Sequence, residues 1–454
     1  ITKLDKARNV KKVSNIEKEL RLVEERTDIN LSEKQKEAVK AINDNNVTII
    51  TGGPGTGKTT IIKSIIEIYK QKKYKIVLCA PTGRAAKRMS ETTGEEASTL
   101  HRLLEIGKVD EESLFKKDNE YQGAPIDGDI IIVDEVSMVD MFIMSYLLDC
   151  IYQGTKLILV GDSDQLPSVG PGSVLKDLIA SEKIVTVHLD KIFRQAAKSK
   201  IVVNAHRVNN GKGFISKDDP ELEKDAKQDF FFIKENSQDK ILKEVLSLCN
   251  GRLKNFGEYD FFENIQVLTP TKKGLLGTKE LNKALQEELN PHREGESEKN
   301  SMGAIFRIGD RVMQIKNNYD MYWERLSDNG VETGNGIFNG ETGIITNINE
   351  KGKILCVKFD DEKVCKYEFS DLEQIEHSYC MTIHKAQGSE FDVVIMIISQ
   401  AAPMLLTRNL LYTGLTRAKK LLIVIGNDRV VDYMIKNVDS KKRNTGLEFK
   451  LKRI

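Results

Sequence analysis

The hydrophobic residues of this 454-residue chain fall into short runs that alternate with longer amphipathic stretches. The first five apolar runs lie at 47–50, 76–80, 130–133, 157–160 and 184–189. Short apolar runs separated by helical patterns are typical of parallel strands that are buried on both faces. We therefore expect an α/β fold with helices on both faces of a parallel sheet, and ligands at the carboxyl ends of its strands.

The second half of the chain predicts another strand–helix region with an insertion. Apolar runs at 265–271, 393–398 and 421–425 indicate its strands. Between them, shorter alternating runs lie at 311–315, 343–348, 354–359 and 364–369. Several short strands joined by tight turns predict a small inserted β-barrel. In the first half, the polar stretch 103–127 interrupts the alternation and is expected to be an inserted hairpin.

Charge and cysteine usage narrow the class of protein. The net charge is only +1, so a nucleic-acid partner would have to be held in a local groove. The six cysteines show no metal-ligand spacing, which predicts reduced thiols in a cytoplasmic protein, without zinc, iron–sulfur cluster or disulfide. No apolar stretch approaches the roughly 20 residues needed to cross a membrane. Because the chain begins at Ile1, we expect a fragment, and we expect the basic triplet at 441–443 to be solvated.

A glycine-rich loop follows the first apolar run and carries the strongest functional signal. The loop and the start of the next helix consist of Gly52, Gly53, Pro54, Gly55, Thr56, Gly57, Lys58, Thr59 and Thr60. Glycines let successive backbone N–H groups converge on phosphate oxygens at the N-terminus of a helix. Lys58 is placed to reach the β- and γ-phosphates, and the Thr59 hydroxyl to bind Mg²⁺. We expect the chain to bind a nucleoside triphosphate.

Two later strands end in polar residues suited to hydrolysis. The run at 130–133 is followed by Asp134, which would hold Mg²⁺, and by Glu135, which would act as general base toward the attacking water. The alternative is that these carboxylates cap the following helix. The run at 157–160 leads to Gln165, which could hydrogen-bond the γ-phosphate or the attacking water.

The motif Gly-Asp-x-x-Gln-Leu-Pro, which follows Asp-Glu along the chain, resembles a motif of superfamily 1 helicases. The resemblance implies that Gln35 reads the adenine edge, that Phe193 stacks on adenine, and that Glu390 approaches the ribose of ATP. It also implies that Arg194 and Arg417 act as arginine fingers on the γ-phosphate. Such a finger is worth roughly 10³–10⁵ in rate.

The nucleic-acid contacts come from both halves of the chain. Thr82 and Arg84 stand where a strand turns into a helix, a phosphate-binding geometry. The stretch 98–103 resembles the accompanying motif around His101. The resemblance places Thr271, Thr382 and His384 on the backbone of single-stranded DNA. For the two histidines, a purely structural role is an open alternative.

The complete set of motifs is similar to that of the RecD-like bacterial DNA helicases, from about residue 31 to 426. That resemblance implies a connecting segment (1–30), RecA-like domain 1A (31–190) with pin 1B (103–127), RecA-like domain 2A (191–303 and 375–454) and an SH3-like barrel 2B (304–374). It also implies 5′→3′ movement on single-stranded DNA, with ATP and Mg²⁺ in a cleft between the two RecA-like domains. Longer family members carry OB-like and helix-hairpin-helix modules at the N-terminus, of which at most a stub is expected here.

Two other functions stay open at this stage. One is the same motor acting on RNA or moving without unwinding, and the other is an ATP-switched DNA-binding subunit of a repair complex. The expected partners are single-stranded DNA, duplexes with a 5′ tail and proteins of repair or recombination, with no membrane, and the expected state is a monomer. The sequence shows no further cluster of carboxylates that would predict the metal site of a nuclease.

Overall fold

The computed structural model describes residues 1–7, 11–106, 125–215, 219, 225–327, 330–438, 443 and 445–453. The chain divides into two compact units, which are described separately. Unit 1 comprises Ile1–Lys198 and Asp439–Ile454, and unit 2 comprises Ser199–Val438. Most of the predicted pin at 103–127 lies outside the described residues. In the ranges given above, no helix is long and apolar enough to span a membrane.

Unit 1 is a three-layer α/β structure. Its helices are α1 (Thr2–Asp5), α2 (Ile16–Thr27), α3 (Glu33–Asp44), α4 (Lys58–Gln71), α5 (Gly83–Thr93), α6 (Leu100–Leu103), α7 (Met141–Asp149), α8 (Val174–Ser181), α9 (Arg194–Ala197) and, at the C-terminus, α17 (Leu447–Lys452), with a 3₁₀ turn at Val136–Met138. Its strands are β1 (Val47–Gly52), β2 (Ile76–Ala80), β3 (Ala97–Thr99), β4 (Ile130–Val133), β5 (Lys156–Gly161) and β6 (Val185–Leu189). All strands run parallel in the order β3-β2-β4-β5-β1-β6.

Alternate residues of the central strands face the two helix layers. Ile50, Ile132 and Ile158 belong to one apolar cluster, which includes residues of α2, α3 and α4. Their neighbours Ile49 and Ile131 belong to a second cluster, which includes residues of α7 and α8. Both faces of the sheet are therefore buried, as the continuous apolar runs predict.

A buried lysine fixes the end of α3 to the start of β5. The Lys156 ammonium is fully buried and donates to the carbonyls of Ile42 at 2.6 Å, Asn43 at 3.0 Å and Asn45 at 2.7 Å. These carbonyls lie at the C-terminus of α3, where the helix leaves its last acceptors unpaired and carries partial negative charge. Lys156 thus donates hydrogen bonds to the last carbonyl groups of the helix, and none of these three bonds involves a carboxylate.

The C-terminal segment packs with unit 1, whereas the sequence had placed all of 375–454 in the second RecA-like domain. Helix α17 lies against α8, and Leu451 joins the apolar core of unit 1 with Leu447 packed beside it. Arg443, expected to be solvated, donates to the carbonyls of Ser168, Gly170 and Gly172. Two leucines four residues apart gave too short an apolar pattern to reveal this helix among its charged neighbours.

Unit 2 holds a second parallel sheet and an antiparallel one. Its helices are α10 (Lys200–Asn209), α11 (Gln238–Ser247), α12 (Leu253–Gly257), α13 (Phe261–Asn264), α14 (Thr278–Leu289), α15 (Arg408–Leu415) and α16 (Asp428–Lys436), with a π turn at Leu248–Arg252 and 3₁₀ turns at Asp371–Gln374 and Pro403–Leu405. Its strands are β7 (Phe230–Lys234), β8 (Ile265–Thr269), β9 (Glu298–Ser301), β10 (Ala304–Arg307), β11 (Arg311–Gln314), β12 (Asn318–Ser327), β13 (Gly330–Ile337), β14 (Thr342–Asn349), β15 (Ile354–Phe359), β16 (Val364–Glu368), β17 (Ile375–His377), β18 (Cys380–Thr382), β19 (Phe391–Ile398) and β20 (Ala418–Gly426).

The two main sheets of unit 2 confirm the predicted α/β core with an inserted antiparallel region. The parallel sheet has the order β18-β8-β19-β20-β7, and the inserted sheet has the order β13-β12-β16-β15-β14-β11-β17. The inserted sheet includes a long hairpin, β12–β13, that the sequence analysis missed. Most residues of this hairpin are exposed or half-buried, so they lack the apolar alternation from which strands are predicted.

One buried carboxylate joins the inserted sheet to the parallel-sheet part of unit 2. Asp310, between β10 and β11, is fully buried and has five polar partners. They are Gln286 Nε2 at 2.7 Å, Asn290 Nδ2 at 2.8 Å, the Arg307 backbone N–H at 2.7 Å, His377 Nε2 at 3.0 Å and the Tyr379 hydroxyl at 2.9 Å. The network ties α14, the β10–β11 turn and the segment from β17 to β18 to a single side chain.

Replacing Asp310 by Ala should therefore destabilise unit 2. The change leaves several buried donors without an acceptor, and each unpaired buried group costs about 1–3 kcal/mol. We expect the free energy of unfolding to fall by about 3 kcal/mol or more, measured by urea denaturation. Asp320→Ala, at an exposed position of β12, is the matched control and should leave the midpoint nearly unchanged. Equal midpoints for the two variants would contradict this role of Asp310.

Candidate active site

The candidate residues of unit 1 lie along one edge of its parallel sheet. Each predicted motif except that of Gln35, which lies in α3, follows the carboxyl end of a strand, and neighbouring strands end at matching register positions. The paired positions are Gly52 with Leu189, Thr51 with Gly161, Leu159 with Val133, Val133 with Cys79, and Ala80 with Thr99. The phosphate-binding loop, Asp134–Glu135, Gln165, Phe193 and the segments beginning at Thr82 and Thr99 are thereby brought to the same edge.

The phosphate-binding loop turns from β1 into α4 with two glycines in the left-handed region. Gly55 has φ of +73° and Gly57 has φ of +83°. The buried Thr56 hydroxyl donates to the Gly53 carbonyl at 2.8 Å. Lys58 Nζ donates to the carbonyls of Gly52 at 2.6 Å and Gly53 at 3.1 Å. The ammonium therefore lies over the loop whose backbone N–H groups would bind phosphate.

Two of the predicted adenine contacts pack against this loop. A Cβ atom on Gly57 would lie 2.3 Å from Gln35 Nε2 and 3.0 Å from Phe193 Cε2, so only glycine fits. The Phe193 N–H donates to the Gly55 carbonyl at 3.2 Å. Gln35 is buried, accepts from the Ser32 N–H at 2.9 Å and donates to the Gly57 carbonyl at 3.4 Å. Its role toward adenine stays a prediction.

Two carboxylates follow β4 in a constrained turn. Asp134 is buried and accepts from the Glu135 N–H at 2.8 Å. Burial, reinforced by the charge of Glu135, raises the pKa of Asp134 to about 6. Glu135 has φ of +53°, a left-handed conformation that residues other than glycine rarely adopt. Glu135 precedes the 3₁₀ turn at Val136–Met138 without a side-chain cap hydrogen bond, and Asp140 caps α7.

An arginine that the sequence analysis did not single out contacts the predicted general base. Arg88, on α5, places Nη2 3.3 Å from Glu135 Oε1. The Glu135 side chain is 8% exposed and that of Arg88 is 26% exposed. The two residues are 47 positions apart, so no local pattern could have revealed the pair.

The oxygen donors near the loop suit a magnesium ion. Within the described ranges, no group of three or more His, Cys, Asp or Glu side chains is placed to hold a metal. The Thr59 hydroxyl, exposed in the first turn of α4, and the Asp134 carboxylate are hard oxygen ligands. Mg²⁺ prefers such ligands and completes its shell with water and phosphate oxygens.

The Gln165 side chain is held by Asp162, which, like Arg88, was given no role in the sequence analysis. The Gln165 side-chain amide donates to Asp162 Oδ2 at 3.3 Å, and its backbone N–H donates to the Asp162 carbonyl at 3.3 Å. The next residue of the turn, Ser163, donates its N–H to the Thr51 hydroxyl on β1. The turn after β5 is thus tied directly to the strand that carries the phosphate-binding loop.

The predicted nucleic-acid contacts of unit 1 begin helices at this same edge. Thr82 caps α5 by accepting from the Ala85 N–H at 3.2 Å, and Arg84 lies in the first turn. His101 lies in α6, which Thr99 caps in the same way. The hydroxyls of Thr82 and Thr99 thus take part in the helix caps.

The candidate residues of unit 2 fall into two groups. Arg417 is buried and donates to the carbonyls of Thr413 and Ser389 at 3.0 Å each, beside the exposed Glu390. Thr382 pairs with Thr269 in the parallel sheet, so Thr271 and Thr382 follow neighbouring strand ends. His384 comes two residues later, and burial lowers its pKa, which favours the neutral imidazole. Arg194, in α9, belongs to unit 1, and its side chain is outside what the structure describes.

Three family models match the chain over separate segments. An AAA domain matches residues 35–171, the SH3 domain of ATP-dependent RecD-like DNA helicases matches residues 281–359, and the UvrD-like helicase C-terminal domain matches residues 377–425. The SH3 match includes β9–β15, and the UvrD-like match spans Thr382, Glu390 and Arg417. Two parallel-sheet units with these motifs and an SH3-like insertion define the superfamily 1 helicase class.

Curated relatives are similar over most of the chain. The ATP-dependent RecD2 DNA helicase of Deinococcus radiodurans is 36% identical over 389 residues, which cover 86% of this chain and 48% of the relative. The RecBCD enzyme subunit RecD of Buchnera aphidicola is 30% identical over 474 residues, which cover 89% of this chain and 74% of the relative. The chain belongs to the RecD family. It spans about half the length of the RecD2 relative.

Solved structures support the fold alone. Pif1 helicase from Bacteroides in complex with ADP-AlF3 and single-stranded DNA matches with a TM-score of 0.50 at 20% identity. The match covers 89% of this chain and 94% of the Pif1 chain. A structure of two coordinating Pif1 helicases at forked duplex DNA matches with the same TM-score at 19% identity, over 87% of this chain and 92% of that chain.

Replacing Lys58 by Ala should abolish ATP hydrolysis. The change removes the only side-chain cation that the phosphate-binding loop itself supplies to the phosphates. Loss of one such donor typically costs about 10²-fold or more in kcat. Lys63→Ala, at an exposed position on the same helix, is the matched control and should retain the turnover of the original protein. Near-normal hydrolysis by the Lys58 variant would contradict the site assignment.

Proposed function

We propose that the chain is the motor of an ATP-dependent DNA helicase that moves 5′→3′ on single-stranded DNA. The observation that supports it best is the shared edge of the unit 1 sheet. That edge carries the phosphate-binding loop, the carboxylates after β4 and Gln165, next to the helix N-termini at Thr82 and Thr99. Nucleotide groups and candidate DNA groups follow adjacent strands of one rigid sheet, which is the arrangement that a motor requires.

Several residues of unit 1 have separate roles in the hydrolysis of ATP. Lys58 exchanges its bonds to the Gly52 and Gly53 carbonyls for phosphate oxygens when ATP enters the loop. Glu135 accepts a proton from the attacking water, and Gln165, held by Asp162, orients that water toward the γ-phosphate. Mg²⁺, held by Thr59 and Asp134, would neutralise charge on the phosphates.

Unit 2 carries two of the remaining predicted nucleotide groups, Arg417 and Glu390. Arg417 has its guanidinium bonded to backbone carbonyls, so reaching the γ-phosphate requires some of these bonds to be exchanged for phosphate oxygens. Glu390 is assigned the ribose, and Arg194, which belongs to unit 1, is assigned the first finger. Because the motor cycle binds and releases ATP, such an exchange offers a way for nucleotide state to alter the grip on DNA by Thr271, Thr382 and His384.

The partners follow from the family and from the site. The relatives carry names of DNA helicases and of a subunit of the RecBCD enzyme. We assign to this chain single-stranded DNA and duplexes with a 5′ tail as substrates, a monomeric state and association with recombination or repair proteins. The six free cysteines, five of them buried, fit a reducing compartment such as the cytoplasm.

Unwinding of tailed duplexes tests direction and motor activity together. With ATP and Mg²⁺ at low salt, we expect strand separation from a 5′-tailed duplex and none from matched 3′-tailed or blunt duplexes. The measurement is release of a fluorescent strand in the presence of a trap oligonucleotide. Strand separation only from the 3′-tailed duplex would overturn the proposed direction. Hydrolysis of ATP without strand separation would limit the chain to translocation.

Two further measurements separate the remaining functions. An RNA motor would show greater stimulation of ATP hydrolysis by single-stranded RNA than by DNA of the same sequence. An ATP-switched binding subunit would change its DNA affinity with ATP while showing negligible turnover. We expect stimulation by DNA with sustained turnover, because Glu135 and Gln165 follow neighbouring strands at the edge that carries the loop.

A further inference from the structure

The ion pair between Arg88 and Glu135 links two parts of the site that serve different ligands. Arg88 lies on α5, the helix that begins at the candidate DNA contact Thr82, and Glu135 is the predicted general base. Nη2 of Arg88 lies 3.3 Å from Oε1 of Glu135, and the Glu135 side chain is buried. Because the Glu135 side chain is buried, solvent screens this pair less than it screens an ordinary surface ion pair.

The position of Arg88 along the helix makes it sensitive to events at the helix N-terminus. Arg88 comes six positions after Thr82, which corresponds to about 9 Å of α-helix at about 1.5 Å per residue. Helix α5 is continuous from Gly83 to Thr93. A shift of its N-terminus toward a DNA phosphate would therefore move the Arg88 guanidinium as well.

Glu135 is fixed both at its backbone and at its side chain. Its φ of +53° places it in the left-handed region, and its N–H donates to Asp134 Oδ1. An L residue keeps such a conformation only where its surroundings impose it. With the backbone fixed, the direction of the carboxylate depends on its side-chain partners, and Arg88 is one of them.

We propose that Arg88 is a positioning residue that couples DNA binding to ATP hydrolysis. Without DNA, its ion pair holds the Glu135 carboxylate toward α5 and away from the attacking water. Binding of a DNA phosphate at the N-terminus of α5 draws Arg88 away and frees the carboxylate to accept the proton. The proposal rests on the proposed function, because it assumes that this chain hydrolyses ATP in response to single-stranded DNA.

The guanidinium restrains hydrolysis by fixing the direction of the Glu135 carboxylate. The ion pair holds Oε1 of Glu135 toward α5. Separation of the pair removes this restraint without movement of the phosphate-binding loop.

The test replaces Arg88 by Gln, which keeps a side chain capable of hydrogen bonding but removes the charge. We expect kcat without DNA to rise about fivefold or more, the lower range for coupling between two sites, while KM for ATP stays unchanged. The rate at saturating single-stranded DNA should change little, so the stimulation ratio falls. Arg88→Lys should restore part of the low basal rate, because the charge is retained.

Arg26→Gln is the matched control. Arg26 forms an exposed ion pair with Glu67 in the same unit, so its loss should leave both the basal rate and the stimulation ratio unchanged. An unchanged basal rate in Arg88→Gln would overturn the proposal. A basal rate that falls with the stimulation ratio preserved would also overturn it, because Arg88 would then support the active orientation of Glu135.

A second variant keeps the proposal falsifiable if Arg88→Gln does not fold. Glu135→Gln weakens the same pair from the other side while retaining Arg88. If DNA binding has to break the pair, this variant should bind single-stranded DNA about fivefold more tightly without nucleotide, measured by fluorescence anisotropy. Unchanged affinity would overturn the coupling. Failure of the proposed function would look different, because the original chain itself would show no DNA-stimulated hydrolysis.

Discussion

The parallel direction of the six strands in unit 1 is the constraint on which the candidate site depends. Because every carboxyl end opens at the same edge, motifs far apart in sequence become neighbours there. The parallel strand direction is sufficient to bring together the phosphate-binding loop, the carboxylates after β4 and the turn that carries Gln165. Burial of both sheet faces keeps the strands in register, so apolar packing on the two faces determines polar geometry at the edge.

Strand order along that edge places the DNA candidates beside the carboxylates. Strand β2, which leads to Thr82, lies next to β4, which leads to Asp134 and Glu135. The helix that follows β2 therefore passes close enough for Arg88 to contact Glu135. On the other side of β4, β5 carries Asp162 and Gln165 toward β1. The carboxylates thus stand between the candidate nucleotide groups and the candidate DNA groups.

Sequence patterns predicted the parts of the fold that depend on local periodicity. The five apolar runs of unit 1 became strands because their residues are buried on both faces. Strand β3 was missed because Ala97–Thr99 is three residues long and mostly small and polar. The return of the C-terminus to unit 1 was missed because it depends on α17 packing on α8 over a long sequence separation.

The residues of the candidate site show the same contrast between local sequence patterns and long-range contacts. Lys58, Asp134 and Gln165 belong to motifs whose spacing is visible in the sequence, and the unit 1 motifs stand at the predicted strand ends. Arg88 and Asp162 act through contacts that only the folded chain creates, so composition and spacing carried no sign of them. Residues that hold others in position are in general harder to predict than residues that touch a ligand, because their chemistry is not distinctive.

The central claim is that nucleotide and DNA bind to one coupled edge. The most direct measurement is the affinity for fluorescent single-stranded DNA with and without a saturating nonhydrolysable ATP analogue, paired with the affinity for the analogue with and without DNA. Thermodynamic linkage requires the two ratios to be equal, and we expect a factor of about five or more. A DNA affinity that is the same with and without the analogue would contradict the account.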